Sequence, residues 1–298
     1  MHAQRALLPD GRRWHFQHGP IDLVIGADGD ASAIADAHEA AWQRFEGVLA
    51  ELVAELPLLR RRVMGPCPLQ GPIAKRMWWA CRPFHSVFIT PMAAVAGAVA
   101  QEIIAFYERP GIARAWVNNG GDIAVHVAEG ESVKVGVVAD AGDPFAATDA
   151  SFAITAAMPV RGIATSGWRG RSFSLGIADS VTILAKTAAQ ADAAATIVAN
   201  AVDIDDPRIG RCPASMLKDD TDLGDIPVTV AVPPLSDEQI RTALDRGRQR
   251  ALELQRAGLI HAALLACQQR YERVGPGPAG DIRVDPDIAH RRVGSVFA

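Results

Sequence analysis

The sequence predicts an α+β fold with mixed sheets and packed helices. Three observations carry this: short runs rich in β-branched residues fill the middle of the chain, long helical stretches flank them, and neither an internal repeat nor a clear linker interrupts. We expect one large unit over residues 1–275, followed by a loose Gly/Pro-rich tail over residues 276–298. With 298 residues, 49% of them hydrophobic and 21% charged, the chain has ample material for a core, and neither disorder nor a fibre is suggested.

In chain order, residues 21–25 read as a short strand and Gly26 to Asp30 as a turn. Residues 32–56 form an alanine-rich helix, with Ile34, Ala41, Phe45, Leu49 and Leu52 at helical spacing and Pro57 ending it. Pro66, Pro68 and Pro72 mark a loop, and residues 77–80 read as a strand. Thr90 offers an N-cap hydroxyl and Pro91 suits the first helical position, so a helix is expected over residues 91–107. Its small residues, Gly97 among them, allow a close approach to a sheet or a cofactor. Strands are expected over residues 115–117, 123–127, 133–138, 152–156, 160–164 and 180–184. A helix of small residues follows over 188–202, then a strand over 228–232. Ser236 and Gln239 form a capping box that opens a helix to about Ala257; Gly258 breaks it, and residues 259–274 read as a second helix.

Composition also excludes functions. A formal charge of −4 argues against a nucleic-acid protein that relies on a basic face. The only tight basic run, Arg60-Arg61-Arg62, reads as a solvated turn. Cys67, Cys81, Cys212 and Cys267 lie far apart, with neither disulfide-framework nor zinc spacing. The first twenty residues lack the apolar core of a signal peptide and no stretch approaches a membrane span, so we expect a cytoplasmic protein with no membrane association.

The segment Trp116-Val117-Asn118-Asn119-Gly120-Gly121-Asp122-Ile123 is the most informative in the chain. Two adjacent glycines supply positive φ and bare backbone, either for a β-hairpin turn or for close approach of a flat ligand. Downstream, Thr165-Ser166-Gly167 ends a strand, and hydroxyls and backbone N–H groups there can hold a phosphate. In Ala191-Asp192-Ala193-Ala194-Ala195-Thr196, Asp192 and Thr196 are four apart in a helical run and share a face. A carboxylate and a hydroxyl are hard ligands suited to magnesium; equally, they are an exposed acid and a threonine bonded to its own helix.

Together, in this order, the three motifs resemble the ApbE superfamily, whose typical members are magnesium-dependent FAD:protein FMN transferases. Those members carry an Asn-x-Gly-Gly-Asp turn, a Thr-Ser-Gly strand end and an Ala-Asp-Ala-x-Ala-Thr helix. The resemblance covers residues 90–202, about a third of the chain. It is nearest to a divergent branch with a Thr90-Pro91-Met92-Ala93-Ala94-Val95-Ala96-Gly97 helix start and a Leu259 to Leu264 tail. The resemblance implies that Asp192 and Thr196 hold the Mg2+ that bridges the pyrophosphate of FAD. It implies that a backbone carbonyl past the Gly-Gly turn, at Ala124, completes the metal site. Asn118, Asn119, Gly120, Gly121 and Asp122 would face the flavin or its ribityl phosphate, and Thr165, Ser166 and Gly167 would line the pocket.

The expected lack of an export signal is one departure from typical members, and a second lies among the motifs. Typical members place a histidine segment between the Thr-Ser-Gly and Ala-Asp motifs, beside the scissile pyrophosphate. Here that interval runs from Trp168 to Asp179 without a histidine. Arg171 or Ser172 takes its place; an arginine clamps phosphate but cannot act as a base near neutral pH. Asp179 and His126 are the candidate proton acceptors, with His85 a further histidine near the site. Three readings stay open: a divergent flavin transferase that moves FMN from FAD to an acceptor protein, a non-catalytic flavin- or nucleotide-binding protein, and an unrelated reaction on another ligand.

Overall fold

The structure is a computed structural model that describes residues 2–137, 150–275 and 283–284. In chain order its elements are β1 (Gln4–Leu7), β2 (Trp14–His18), β3 (Ile21–Gly29), α1 (Ala31–Ala54), α2 (Leu56–Leu59), α3 (Pro72–Cys81), α4 (Val95–Ile104), β4 (Ile112–Asn119), β5 (Asp122–Val127), β6 (Ser132–Val137) and β7 (Ala150–Thr155). They continue with β8 (Gly162–Ser166), β9 (Ser180–Ala185), α5 (Ala188–Ala201), β10 (Gly210–Pro213), β11 (Pro227–Ala231), α6 (Asp237–Arg256), β12 (Ala262–Cys267), β13 (Arg270–Val274) and β14 (Arg283–Val284). The α+β class is as the sequence predicts. By its contacts the chain forms two compact units interleaved in sequence: one of residues 1–133, 154–164 and 185–193, the other of residues 134–153, 165–184 and 194–298.

In the first unit the strands lie in the order β1-β2-β3-β4-β5-β8, all antiparallel. Helix α1 buries Ala37, His38, Ala41, Phe45, Val48 and Leu52, one stripe at helical spacing. Phe16 of β2 meets it in an aromatic cluster, 5.1 Å from the Trp42 ring and 5.5 Å from that of Phe45. Helix α4 packs on β4 and β5. In the second unit β9-β12-β13 are antiparallel, with α6 against β12 and β13. There β10 and β11 form a separate pair, and β14-β7-β6 a three-stranded sheet.

Several expectations are corrected. Residues 77–80 are helical, because Pro72 starts α3 and Ile73, Ala74, Met77, Trp78 and Cys81 bury one face. Residues 26–29 continue β3 instead of turning; Asp30 then caps α1 by accepting from Ser32 and Ala33 N–H. Pro57 falls inside the short helix α2. The helix expected over 91–107 is a 3-10 turn (Pro91–Ala94), α4, and a second 3-10 turn (Ala105–Tyr107). Residues 259–274 form the β12–β13 hairpin, not a helix. β12 is buried along its whole length, so no alternation marks it as a strand, and its turn, Gln268-Gln269, lacks the usual Gly or Asn. The end of the strand expected over 133–138, and the tail beyond Gly275 apart from β14, lie outside the described residues. All four cysteines are free thiols, Cys81 and Cys267 buried.

Candidate functional site

Asn119 pairs with Asp122 across Gly120 and Gly121, so this segment is the hairpin turn between β4 and β5, with φ of 66° and 111° at the two glycines. Asn118 Oδ1 accepts from Gly121 N–H at 2.9 Å, closing the turn from within. A side chain at Gly121 would meet nothing within 4 Å, so this backbone borders open space. Asn119 and Asp122 are buried. The Asn119 amide Nδ2 donates to the Ala96 carbonyl at 3.1 Å, tying the turn to the start of α4.

Helix α4 begins after Ala94, which has no side chain able to cap it. The cap comes from α5 instead: Gly97 N–H donates to Asp192 Oδ2 at 2.9 Å, and the Ala96 N–H also bonds the carboxylate. A side-chain oxygen on the second and third helical amides is the geometry of an N-cap, worth about 1 kcal/mol when supplied locally. The favour is returned, because Gln101 Oε1 of α4 accepts from Ala189 N–H at 3.4 Å beside the local cap Thr187, which accepts from Gln190 N–H. Such proximity needs bare backbone. A Cβ on Gly97 would lie 2.3 Å from the Ala188 carbonyl oxygen, and one on Gly162 of β8 would lie 2.2 Å from Ala188 N. The close approach foreseen for the α4 glycine is thus made to a helix.

Burial pushes the Asp192 carboxyl up to about 7, and the Gly97 and Ala96 N–H bonds oppose that shift. α5 is continuous from Ala188 to Ala201, so Asp192 and the half-buried Thr196 stand one turn apart. A carboxylate oxygen and a hydroxyl fit a hard ion such as Mg2+, which keeps most of its own waters. Among the described residues no cluster of three or more His, Cys, Asp or Glu side chains could hold a metal. Ala124 is a buried residue inside β5, opposite Val117 on β4 and Gly162 on β8.

In the second unit Thr165 is exposed and its hydroxyl lies 2.9 Å from that of Thr182. A Cβ on Gly167 would lie 2.3 Å from the Asp179 carbonyl oxygen, so this glycine is needed for packing of the strand end. The Asp179 carboxylate accepts from Trp168 Nε1 at 3.3 Å, Arg169 Nε at 2.9 Å and Gln268 N–H. Arg169 stacks on the Trp168 ring at 4.8 Å. Arg171 and Ser172 are exposed in the loop between β8 and β9. Of the histidines, His126 Nε2 sits 3.3 Å from the Ile112 carbonyl, and exposed His85 has Nδ1 3.0 Å from the Arg82 carbonyl. Sequence reasoning missed Gln101, Arg169 and Gln268; only the spacing of Gln101 on a small-residue helix offered any signal.

A family model described as AbpE bacteria matches residues 5–284. The chain belongs to this family. The resemblance carried by the three motifs points the same way. Relatives in the family's neighbourhood include the UPF0280 protein MK0206 of Methanopyrus kandleri, 36% identical over 62% of this chain and 72% of the relative. A UPF0280 protein of Methanothrix thermoacetophila is 35% identical over 52% of this chain, and one of Methanospirillum hungatei is 39% identical over 40%. The chain spans 63% and 47% of those two relatives' lengths. Among solved structures, the flavinyl transferase ApbE of Pseudomonas stutzeri is similar with a TM-score of 0.46 and 10% identity, over 92% of this chain and 95% of that one. The ApbE protein of Thermotoga maritima matches at 0.44 and 14%, over 91% and 96%. No helix among the described residues is long and apolar enough to cross a membrane.

Proposed function

We propose that this member of the family is a divergent flavin transferase of the cytoplasm that moves FMN from FAD to a hydroxyl of an acceptor protein. The observation that supports this reading best is the Asp192 carboxylate, which sits on neutral backbone amides with Thr196 one turn along the same helix. Amide dipoles orient the carboxylate without cancelling its charge, so it retains an attraction for a cation. Asp192 and Thr196 would hold Mg2+, with the Ala124 carbonyl as the third protein ligand; when bound, the ion supplies charge neutralisation at the pyrophosphate.

In the transfer, an acceptor oxygen forms a new bond to the FMN phosphorus, the pyrophosphate bond breaks, and AMP leaves with the bridging oxygen. The acceptor's proton passes to a base or to water. The Asn118 to Asp122 turn, open above Gly121, would take the flavin portion; by the resemblance, Thr165, Ser166, Gly167 and Ser172 of the second unit suit a phosphate, with Arg171 to balance its charge. Incubation of the purified protein with FAD and MgCl2, followed by chromatography for AMP, tests the reading: AMP release that requires Mg2+ and fails in Asp192→Ala supports it, and no release with any acceptor preparation ends it.

A second reading, a flavin- or nucleotide-binding protein without transfer, draws on a different observation. Asp179 is engaged by Trp168, Arg169 and Gln268, and His126 faces a backbone carbonyl, so neither stands ready as a base. FAD bound tightly and recovered intact would favour it.

A further inference from the structure

We propose that Asp192 is a positioning residue that locks three segments of the first unit around one peptide. Its carboxylate closes the N-terminus of α4 from α5, while Asn119 holds the Ala96 peptide from the side of the Asn-Gly-Gly turn. The Ala96–Gly97 peptide is therefore gripped at both ends: its N–H, on Gly97, donates to Asp192 Oδ2 and its C=O, on Ala96, accepts from Asn119 Nδ2. Gln101 bonds back from α4 to Ala189, so each helix satisfies an amide at the start of the other. Neither contact is adjustable, because Gly97 and Gly162 both bring bare backbone against Ala188 with no room for a methyl group. The turn, the start of α4 and the start of α5 thus shift together or not at all.

This assigns Asp192 a task that a cation ligand alone does not need. A carboxylate offers about four lone-pair directions, and the amides of Ala96 and Gly97 take two. A cation drawn to Asp192 would bind the remaining face, and its position would be fixed by the same amides that fix the turn. That last consequence rests on the proposed function; the grip on the peptide does not.

The experiment compares Asp192→Ala, Asp192→Asn and Asn119→Ala by residue-resolved amide hydrogen exchange and thermal unfolding, each with and without MgCl2. Asn at position 192 keeps an oxygen for the Gly97 N–H but not the charge, whereas Ala removes both. We expect the Ala96 and Gly97 amides to exchange about tenfold faster in Asp192→Ala and to stay near wild type in Asp192→Asn. Asn119→Ala keeps the carboxylate and should speed exchange at the same two amides by a smaller factor. Wild-type protection in both Asp192→Ala and Asn119→Ala overturns the proposal. So does loss of protection in Asp192→Asn equal to that in Asp192→Ala, because the oxygen would then not be what holds the amides. If Asp192→Ala does not fold, Asn119→Ala and Asp192→Asn decide alone. Absence of any Mg2+ effect on the wild type would count against the flavin-transfer reading and leave the exchange result to stand by itself.

Discussion

Asp192 in the first unit and Asp179 in the second are both half-buried carboxylates that accept backbone N–H groups, yet their environments differ in one respect. Asp192 meets amides of α4, and burial raises it to about 7. Asp179 also meets the Arg169 guanidinium at 2.9 Å, so its charge is matched on the spot. The contrast separates orientation from neutralisation. A carboxylate held by dipoles keeps its appetite for a cation, while one paired with arginine has become part of the scaffold. Of Asp192 and Asp179, only the first is held by amide dipoles with no guanidinium beside it among the described residues.

The largest effect we expect tests how tightly each region is built. Gly97→Ala and Gly167→Ala would each force a methyl group to within 2.3 Å of a backbone carbonyl oxygen, and each should cost about 3 kcal/mol in urea unfolding. A loss below about 1 kcal/mol in either would show that the helix or strand can step back and that the approach is not obligatory. Next comes Asp179→Ala, which removes the acceptor of the Gln268 N–H and the carboxylate that Arg169 and Trp168 bond, at about 2 kcal/mol. If Asp179→Ala instead retained full stability, the scaffold role given to this carboxylate would fall.

A third buried polar site, neutral on both sides, supplies a reference for those two. His38 Nδ1 lies 2.6 Å from the Tyr107 hydroxyl, and burial, with a smaller contribution from Arg5, lowers His38 to about 4. The unfolded chain binds the proton more readily between the ordinary histidine value of 6.5 and about 4, so stability is complete above pH 6.5 and is lost as pH falls through that window. We expect a loss of about 2 kcal/mol between pH 7 and pH 4, read from urea midpoints and reduced in His38→Gln. An identical slope in the variant would assign the acid sensitivity to other groups.

The smallest effect concerns stored strain. Gln268 and Gln269 hold positive φ of 44° and 66° in the β12–β13 turn, the region that Asp179 secures. Gln269→Gly should stabilise by about 0.5 kcal/mol, since glycine adopts this conformation without cost from a Cβ. Destabilisation would mean that the Gln269 side chain contributes more than its backbone costs.

Much of this was legible in the sequence, for reasons that can be named. Helix α1 announced itself through its apolar stripe and α6 through the Ser236–Gln239 capping box, a local device, whereas the Asp30 cap of α1 passed for part of a turn. The motif carrying Asp192 and Thr196 lay on a helix as expected, and the Asn-Gly-Gly turn joined two strands. What stayed hidden depends on partners distant in sequence. β12 is buried on both faces, so its sequence resembles that of a helix, and α3 was obscured by its neighbouring tryptophans. The capping of α4 by a residue 95 positions away left no trace near either end. The commitment of Asp179 to Arg169 and Gln268 was equally invisible, because no local pattern records which acid a guanidinium will choose.

The distant cap also bears on the order in which this protein is made. Domains form from the N-terminus while synthesis continues, but α4 emerges well before the carboxylate that finishes it. Until α5 follows, Ala94 leaves the first turn of α4 open, and the Asn119 amide secures only the carbonyl of Ala96. A ribosome-bound chain stopped ahead of Ala188 should therefore show α4 frayed at its start, and one extended past Ala201 should show it closed. Protease cleavage near Val95 on stalled chains of the two lengths would read that difference directly.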